Sequence, residues 1–223
     1  MKIRSAALLG LGAVGCTLAP RLCRALGEEN FFVTASGNRK ERLEKNGKQI
    51  NGRRYFFHVL DPEECRPVDL ILVAVKAGQI PQAVRDIRNH VGRDTLILPL
   101  MNGVTSEEIF ADVYGWKHVL YSLTTISAQI REGAAFYSLD AGTVKFGRED
   151  NRTPDAGVRA VAELFKKAEI PFEVPENMKL AVWQKFLFNV SNNGVAAVLH
   201  ARHFYFQRLD AANRARKMVL REA

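Results

Sequence analysis

The chain has 223 residues, enough for one large domain or one domain plus a further piece, and its 47% apolar and 25% charged content is that of an ordinary globular protein. Its formal net charge of +8 comes from scattered lysines and arginines that cluster only at Arg39-Lys40-Glu41-Arg42 and Arg214-Ala215-Arg216-Lys217. With no aromatic residues interleaved, this argues against nucleic acid and for a basic surface suited to small anions.

No apolar run approaches the roughly 20 residues that cross a bilayer, and no secretory leader is read at the N-terminus, so a cytoplasmic location and no membrane contact are expected. The three cysteines agree with a reducing compartment. Cys16 and Cys23 fall about 10 Å apart along one predicted helix, too far for a disulfide, and Cys65 is isolated. All are read as packed thiols, and no metal-ligand cluster is apparent.

Taken in order, the chain opens on an apolar strand, Ala6-Ala7-Leu8-Leu9, that runs into Gly10-Leu11-Gly12-Ala13-Val14-Gly15. Gly10 permits a tight turn, Gly12 leaves the backbone bare for a pyrophosphate, and Gly15 lets the next helix pack close to the strand. Glycines at these offsets also occur in ordinary turns. Here the strand before them and the amphipathic helix after them, Thr17 to Gly27, point to a dinucleotide seated on free amides at a helix start. Pro20 is expected within that helix's first turns, where it does least harm.

Phe31 to Ser36 reads as the second strand. Its end carries Ser36-Gly37-Asn38-Arg39-Lys40 where an NAD-binding fold would place an acid for the ribose hydroxyl. Small polar groups and the Arg39 guanidinium suit a 2′-phosphate, so NADP is the expected cofactor. The alternative is that Arg39 only begins a helix, Arg39 to Lys45, as a solvated charge. Gly47 to Val59 reads as irregular or as a hairpin around Asn51-Gly52. Val68 to Lys76 is a near-continuous apolar run, the mark of a strand buried on both faces, and it delivers Lys76 to the ligand crevice. A second such strand, Thr95 to Leu100, delivers Asn102; an Asn-Gly pair is also a common turn. Thr105-Ser106-Glu107-Glu108 resembles a capped helix start.

His118 to Ala128 reads as one further β segment, followed by shorter strands over Ala135 to Leu139 and Thr143 to Phe146. A helix over Pro154 to Ala168 and an edge strand over Ile170 to Val174 complete this part. The domain boundary is placed near Pro175 to Asn177, giving an α/β domain with a mostly parallel sheet over 1–176. From Met178 the apolar period is helical, and 177–223 reads as the start of an all-helical domain. Val182, Trp183, Phe186, Leu187, Val190 and Gly194 form a predicted core-facing stripe. Lys185, Asn189 and Asn193 recur one turn apart beside it. Polar groups so placed are either bonded to loops or satisfied by a ligand.

The motifs Gly10-Leu11-Gly12-Ala13-Val14-Gly15, Val73-Ala74-Val75-Lys76-Ala77, Asn102-Gly103-Val104 and Trp183-Gln184-Lys185-Phe186-Leu187-Phe188-Asn189 with Asn193 stand in one order along the chain. In this they resemble the ketopantoate reductases (2-dehydropantoate 2-reductases), a branch of the 6-phosphogluconate-dehydrogenase-like Rossmann enzymes. The resemblance implies NADPH-dependent reduction of ketopantoate to pantoate, in the pathway to pantothenate and coenzyme A. Lys185 matches the general acid, and Asn189 and Asn193 match residues that hold the substrate's hydroxyl and carboxylate. Lys76 and Asn102 match contacts to the cofactor's ribose and nicotinamide side, with Asn102 also near substrate, and Ala128 matches a backbone contact to the nicotinamide.

The family's helical domain also carries a later serine and glutamate that complete the substrate pocket. This sequence ends at Ala223 while Phe206 to Ala223 is still helical in period, so only the beginning of that domain is expected. Two other readings stay open: a reductase of another branched 2-keto acid, or a non-catalytic NADP-binding module. A homodimer is an expectation of the same kind.

Overall fold

The computed structural model describes residues 1–138, 142–200 and 210–222. They form two compact units, Met1–Met178 and Lys179–Ala223. The first unit is built on five parallel strands, β1 (Ala6–Leu9), β2 (Phe31–Thr34), β5 (His58–Leu60), β6 (Val68–Val73) and β7 (Val91–Pro99), in the order β5-β2-β1-β6-β7. The register runs Ala6↔Phe31 on one side of β1 and Ala6↔Leu70 on the other. The chain therefore travels outward from β1 in one direction, returns, and travels outward in the other, which leaves a crevice at the carboxyl ends of β1 and β6.

Alternation along the strands explains why both faces are covered. Ala6, Leu8, Leu70, Leu72, Leu96 and Leu98 join one core, with Leu18 and Leu22 of α1 (Ala13–Leu26) and Val161 and Phe165 of α5 (Ala156–Lys167). Ala7, Leu9, Ile71, Val73 and Ile97 join the other, with Ile80 and Ala83 of α3 (Ile80–Asp86) and Phe110 of α4 (Ser106–Tyr114). A fully buried leucine contributes about 1.5–3 kcal/mol, so these runs suffice to fix which way each strand faces.

Two smaller sheets complete the unit. One has the order β4-β3-β10-β9, from β3 (Lys48–Ile50), β4 (Arg53–Tyr55), β9 (Ala128–Arg131) and β10 (Ala134–Tyr137). The β3–β4 hairpin turns on Asn51 and Gly52, both at positive φ (48° and 77°), as a tight two-residue turn demands. The Asn51 side chain donates to the Tyr137 carbonyl and accepts its N–H, each at 2.9 Å. The third sheet has the order β12-β11-β8, from β8 (Tyr121–Thr124), β11 (Val144–Gly147) and β12 (Phe172–Glu173).

Several expectations are corrected here. His118 to Ala128 is not one strand: Val119 makes a bridge to Ile97, β8 pairs with β11, and the chain then turns so that β9 pairs with β10 in another sheet. The edge strand of Ile170 to Val174 shrinks to β12. The helix after β2 begins at Gly37 (α2, Gly37–Asn46), and the stretch Gly47 to Val59 holds β3, β4 and the start of β5, the edge of the main sheet. Pro20 stands in the middle of α1. Thr105 makes no side-chain cap at α4. The cysteines are free, but only Cys16 is buried; Cys65 is exposed. Leu139 lies outside the described residues.

In the second unit, α6 (Met178–Asn189) leads into a wider π turn over Val190–Gly194, then α7 (Val195–Val198) and α8 (Asp210–Glu222). Val195, Ala196 and Ala212 form its small core, with Ala215 and Val219 against it. The predicted stripe is only partly inside. Val182 is buried, Phe186, Leu187 and Val190 are half-buried, and Trp183 and Gly194 are exposed. The π turn is the physical reason for Gly194: one extra residue per turn rotates everything beyond Asn189, and Ser191 and Asn192 go inside instead. Residues 206–209 and Ala223 of the predicted last helix lie outside the described residues. No helix among the described residues is long and apolar enough to cross a membrane.

Candidate functional site

At the carboxyl end of β1 the chain must reverse within a few residues, and each glycine there answers a different steric demand. Gly10 has φ 108°, and a Cβ on it would lie 2.5 Å from the Ala74 carbonyl, because the β1 and β6 loops abut at this point. A Cβ on Gly15 would lie 1.9 Å from the Gly10 carbonyl, so only hydrogen lets α1 pack under the turn. Gly12 differs: the nearest atom to its Cβ would be Ala74 O at 4.0 Å, and the space is left open. Gly12 is also the N-cap of α1 and supplies no side-chain cap. The first-turn amides of Ala13, Val14 and Gly15 thus lack intrahelical partners and lie at the positive end of the dipole, a ready seat for an anion.

Gly10, Gly12, Ala13, Val14, Arg39, Lys76 and Asn102 all line one cleft of about 520 Å³. Lys76 is placed by β6 and held in a turn with Gln79: the Gln79 N–H donates to the Lys76 carbonyl at 2.8 Å, and the Gln79 side chain accepts the Lys76 N–H at 3.2 Å. Asn102 follows β7, whose pairing is carried one residue further by the Leu100 N–H to the Val73 carbonyl, 2.7 Å. Gln79, Thr124 and Ile126 complete the walls and were not anticipated. Ala128 opens β9, opposite Tyr137, and does not line this cleft; Ile126 reaches it from the same stretch.

Arg39 also lines a second cavity of about 300 Å³, together with Leu11, Arg42, Lys48, Arg54, Glu132 and Gly133. Four cations and one acid there come from α2, the β3–β4 hairpin and the turn before β10. Neighbouring Lys40 is spent on Asp61 and Glu64, at 3.3 and 3.7 Å. Arg42 belongs to the basic cluster around Arg39 on α2, whereas Lys48 and Arg54 could not be found from sequence, because they lie on β3 and β4, which only the fold brings beside that helix. A bare Gly12, uncapped amides and this cationic pocket next to Arg39 fit a dinucleotide bearing an extra phosphate. Burial holds the Cys16 thiol below the turn up at about 11, so it stays neutral and inert.

In the second unit, Lys185 and Asn189 are half-buried on α6, and Asn193 is exposed on the π turn. The Asn193 side-chain amide reaches the Asn189 side-chain oxygen at 3.4 Å. Among the described residues no cluster of side chains could hold a metal.

Comparison with known proteins agrees with this geometry. Residues 6–151 match the family model described as "Ketopantoate reductase PanE/ApbA". A 2-dehydropantoate 2-reductase of Streptococcus pyogenes is 26% identical over 199 residues, covering 86% of this chain and 63% of that protein. The chain thus spans less than two thirds of the length of such curated relatives. The crystal structure of 2-dehydropantoate 2-reductase from Geobacter metallireducens superposes with a TM-score of 0.82 at 26% identity, over 97% of this chain and 73% of that one. D-mandelate dehydrogenase in complex with NADH, 19% identical, shares the fold with a TM-score of 0.85, over 98% and 71%. With the matched segment running from β1 through β11 and holding every residue of the cleft, the chain belongs to the PanE/ApbA ketopantoate reductase family.

Proposed function

We propose that this protein binds NADPH in the cleft beyond β1, β6 and β7 and serves the reduction of 2-dehydropantoate to pantoate. The observation that carries the reading is the cleft itself: an open glycine seat at a helix start, with Arg39 at one end and Lys76 and Asn102 on its walls. Arg39 and the cations beside it favour a 2′-phosphate over a bare ribose.

When bound, the reduced nicotinamide supplies a hydride. Gly12 and the first-turn amides of α1 hold the pyrophosphate, and Lys76 and Asn102 orient the ribose and nicotinamide end. Reduction of a 2-keto carbon builds negative charge on the ketone oxygen. An ammonium stabilises that charge and donates the proton that completes the alcohol, the role we assign to Lys185. Asn189 and Asn193 are assigned to the hydroxyl and carboxylate of the substrate. A 2-keto acid as small-molecule partner, a homodimeric assembly and a cytoplasmic location belong to the same reading.

Lys185→Ala tests it. We expect kcat to fall by about 10²–10⁴, the usual range for a lost proton donor, while the NADPH Kd stays within about twofold. NADPH oxidation is followed with ketopantoate and with other branched 2-keto acids. Selective use of ketopantoate supports the assignment, and preference for another acid moves the substrate. NADPH binding without turnover by the unaltered chain makes it a binding module, and a fully active alanine variant removes Lys185 from the reaction.

A further inference from the structure

Glu107 is the second residue of α4 and is only 1% exposed. An acid at this position usually serves the helix dipole from solvent, as the adjacent Glu108 does. Taking a carboxylate out of water is costly unless several hydrogen bonds are held in return. Its Oε1 accepts the Ser122 backbone N–H at 3.2 Å and its Oε2 accepts the Ser106 hydroxyl at 2.8 Å. The Ser122 hydroxyl in turn donates to the Pro99 carbonyl at 2.7 Å. Burial pushes the carboxyl above its ordinary range, against the pull of the Ser106 and Ser122 hydrogen bonds.

These bonds meet at the two ends of one loop. From Pro99 the chain passes through Leu100, Met101 and Asn102, all in the cleft wall, and returns at Ser106. From Ser122 it passes to Thr124 and Ile126, in the same wall. The loop between turns at Gly103, whose φ of 117° favours glycine.

We infer that Glu107 is a positioning residue: through Ser106 and Ser122 its carboxyl fixes the loop 100–105, and with it Asn102, against β8 at the nicotinamide end of the cleft. This rests on the dinucleotide reading of the cleft. It assigns Glu107 no contact with either ligand. A glutamine would keep an acceptor for the Ser122 N–H and offer its amide to the Ser106 hydroxyl, which can accept; an alanine keeps neither.

The test titrates the full chain, as wild type and as the Glu107→Gln, Glu107→Ala and Ser106→Ala variants, with NADPH and with 2′,5′-ADP, which lacks the nicotinamide end. Thermal melts accompany each titration. For Glu107→Ala we expect NADPH binding about tenfold weaker or more, with 2′,5′-ADP within about twofold of wild type and Glu107→Gln within about threefold for both ligands. Ser106→Ala, which removes one of the two bonds, should fall between and decides the matter if Glu107→Ala does not fold. Unchanged NADPH binding in the folded variants, or loss of both ligands in proportion, overturns the positioning role. A wild-type chain that binds neither ligand overturns the dinucleotide reading beneath it.

Discussion

A methyl group added at Gly12 and one added at Gly15 should have opposite consequences. At Gly15 it would meet the Gly10 carbonyl at 1.9 Å, and the turn must deform. Gly15→Ala should therefore cost about 2 kcal/mol or more, seen as a clear drop in the urea midpoint. At Gly12 the backbone is already extended, φ −80° and ψ −162°, and the space beyond is open. Gly12→Ala should leave stability within about 0.5 kcal/mol while weakening NADPH at least about tenfold, because the methyl occupies the phosphate seat. A Gly12→Ala protein that binds NADPH normally would mean that the phosphates lie elsewhere. These glycines could be read from sequence because each has a purely local reason to be glycine. Glu107 could not: an acid in a first helical turn looks solvated until β8 is packed over it.

Among the elements, the strands buried on both faces were legible, since β1 and the end of β7 are apolar throughout and β6 is apolar at every position but Asp69. Lys76 and Asn102 came with them, because a strand's end fixes what stands at its edge. Short edge strands were not legible. β5 and β9 hold only three and four residues with no clean alternation of buried and exposed positions; β5 takes β2, well back along the chain, as its partner, and β9 pairs with β10 across the turn at Glu132 and Gly133. In α6 the predicted stripe holds at Val182 and in part at Phe186 and Leu187, fails at the exposed Trp183, and is lost at the π turn, which no apolar pattern announces. The hairpin was anticipated from Asn51-Gly52, but not its charge. Arg42 of α2 and Arg54 of β4 should contribute to choosing between dinucleotides. The Arg42→Ala, Arg54→Ala double variant should weaken NADPH roughly 5–10-fold at low salt and leave NADH unchanged, with the difference fading near about 0.5 M salt. Equal loss for both dinucleotides would place the extra phosphate outside this pocket.

For the whole molecule, pH acts on stability through two buried titratable groups, His90 and Glu107. His90 is fully buried, neither ring nitrogen meets a hydrogen-bond partner among the described residues, and burial lowers its pKa from 6.5 against the pull of Glu64. Above pH 6.5 the ring is neutral in both folded and unfolded chains and costs nothing by titration. Below it the unfolded chain takes up a proton that the native one refuses, so stability falls as the pH drops. Glu107 acts in the other direction, its raised pKa favouring the native state as pH approaches 4.5 from above. Urea unfolding at pH 7.5 and 5.5 should show a loss for wild type and a smaller one for His90→Leu; equal slopes would exclude His90 as the cause. The clasp between Asn51 and Tyr137 has a different consequence, one of timing. A growing polypeptide leaves the ribosome with its hairpin complete long before residues 132–137 have been translated, and the cationic pocket needs Glu132 and Gly133 for its far wall. Until they arrive, β3 waits as an open border. On the dinucleotide reading, the far wall of the pocket beside Arg39 is therefore finished only once Gly133 has been made and folded, well after the Gly10–Gly15 turn.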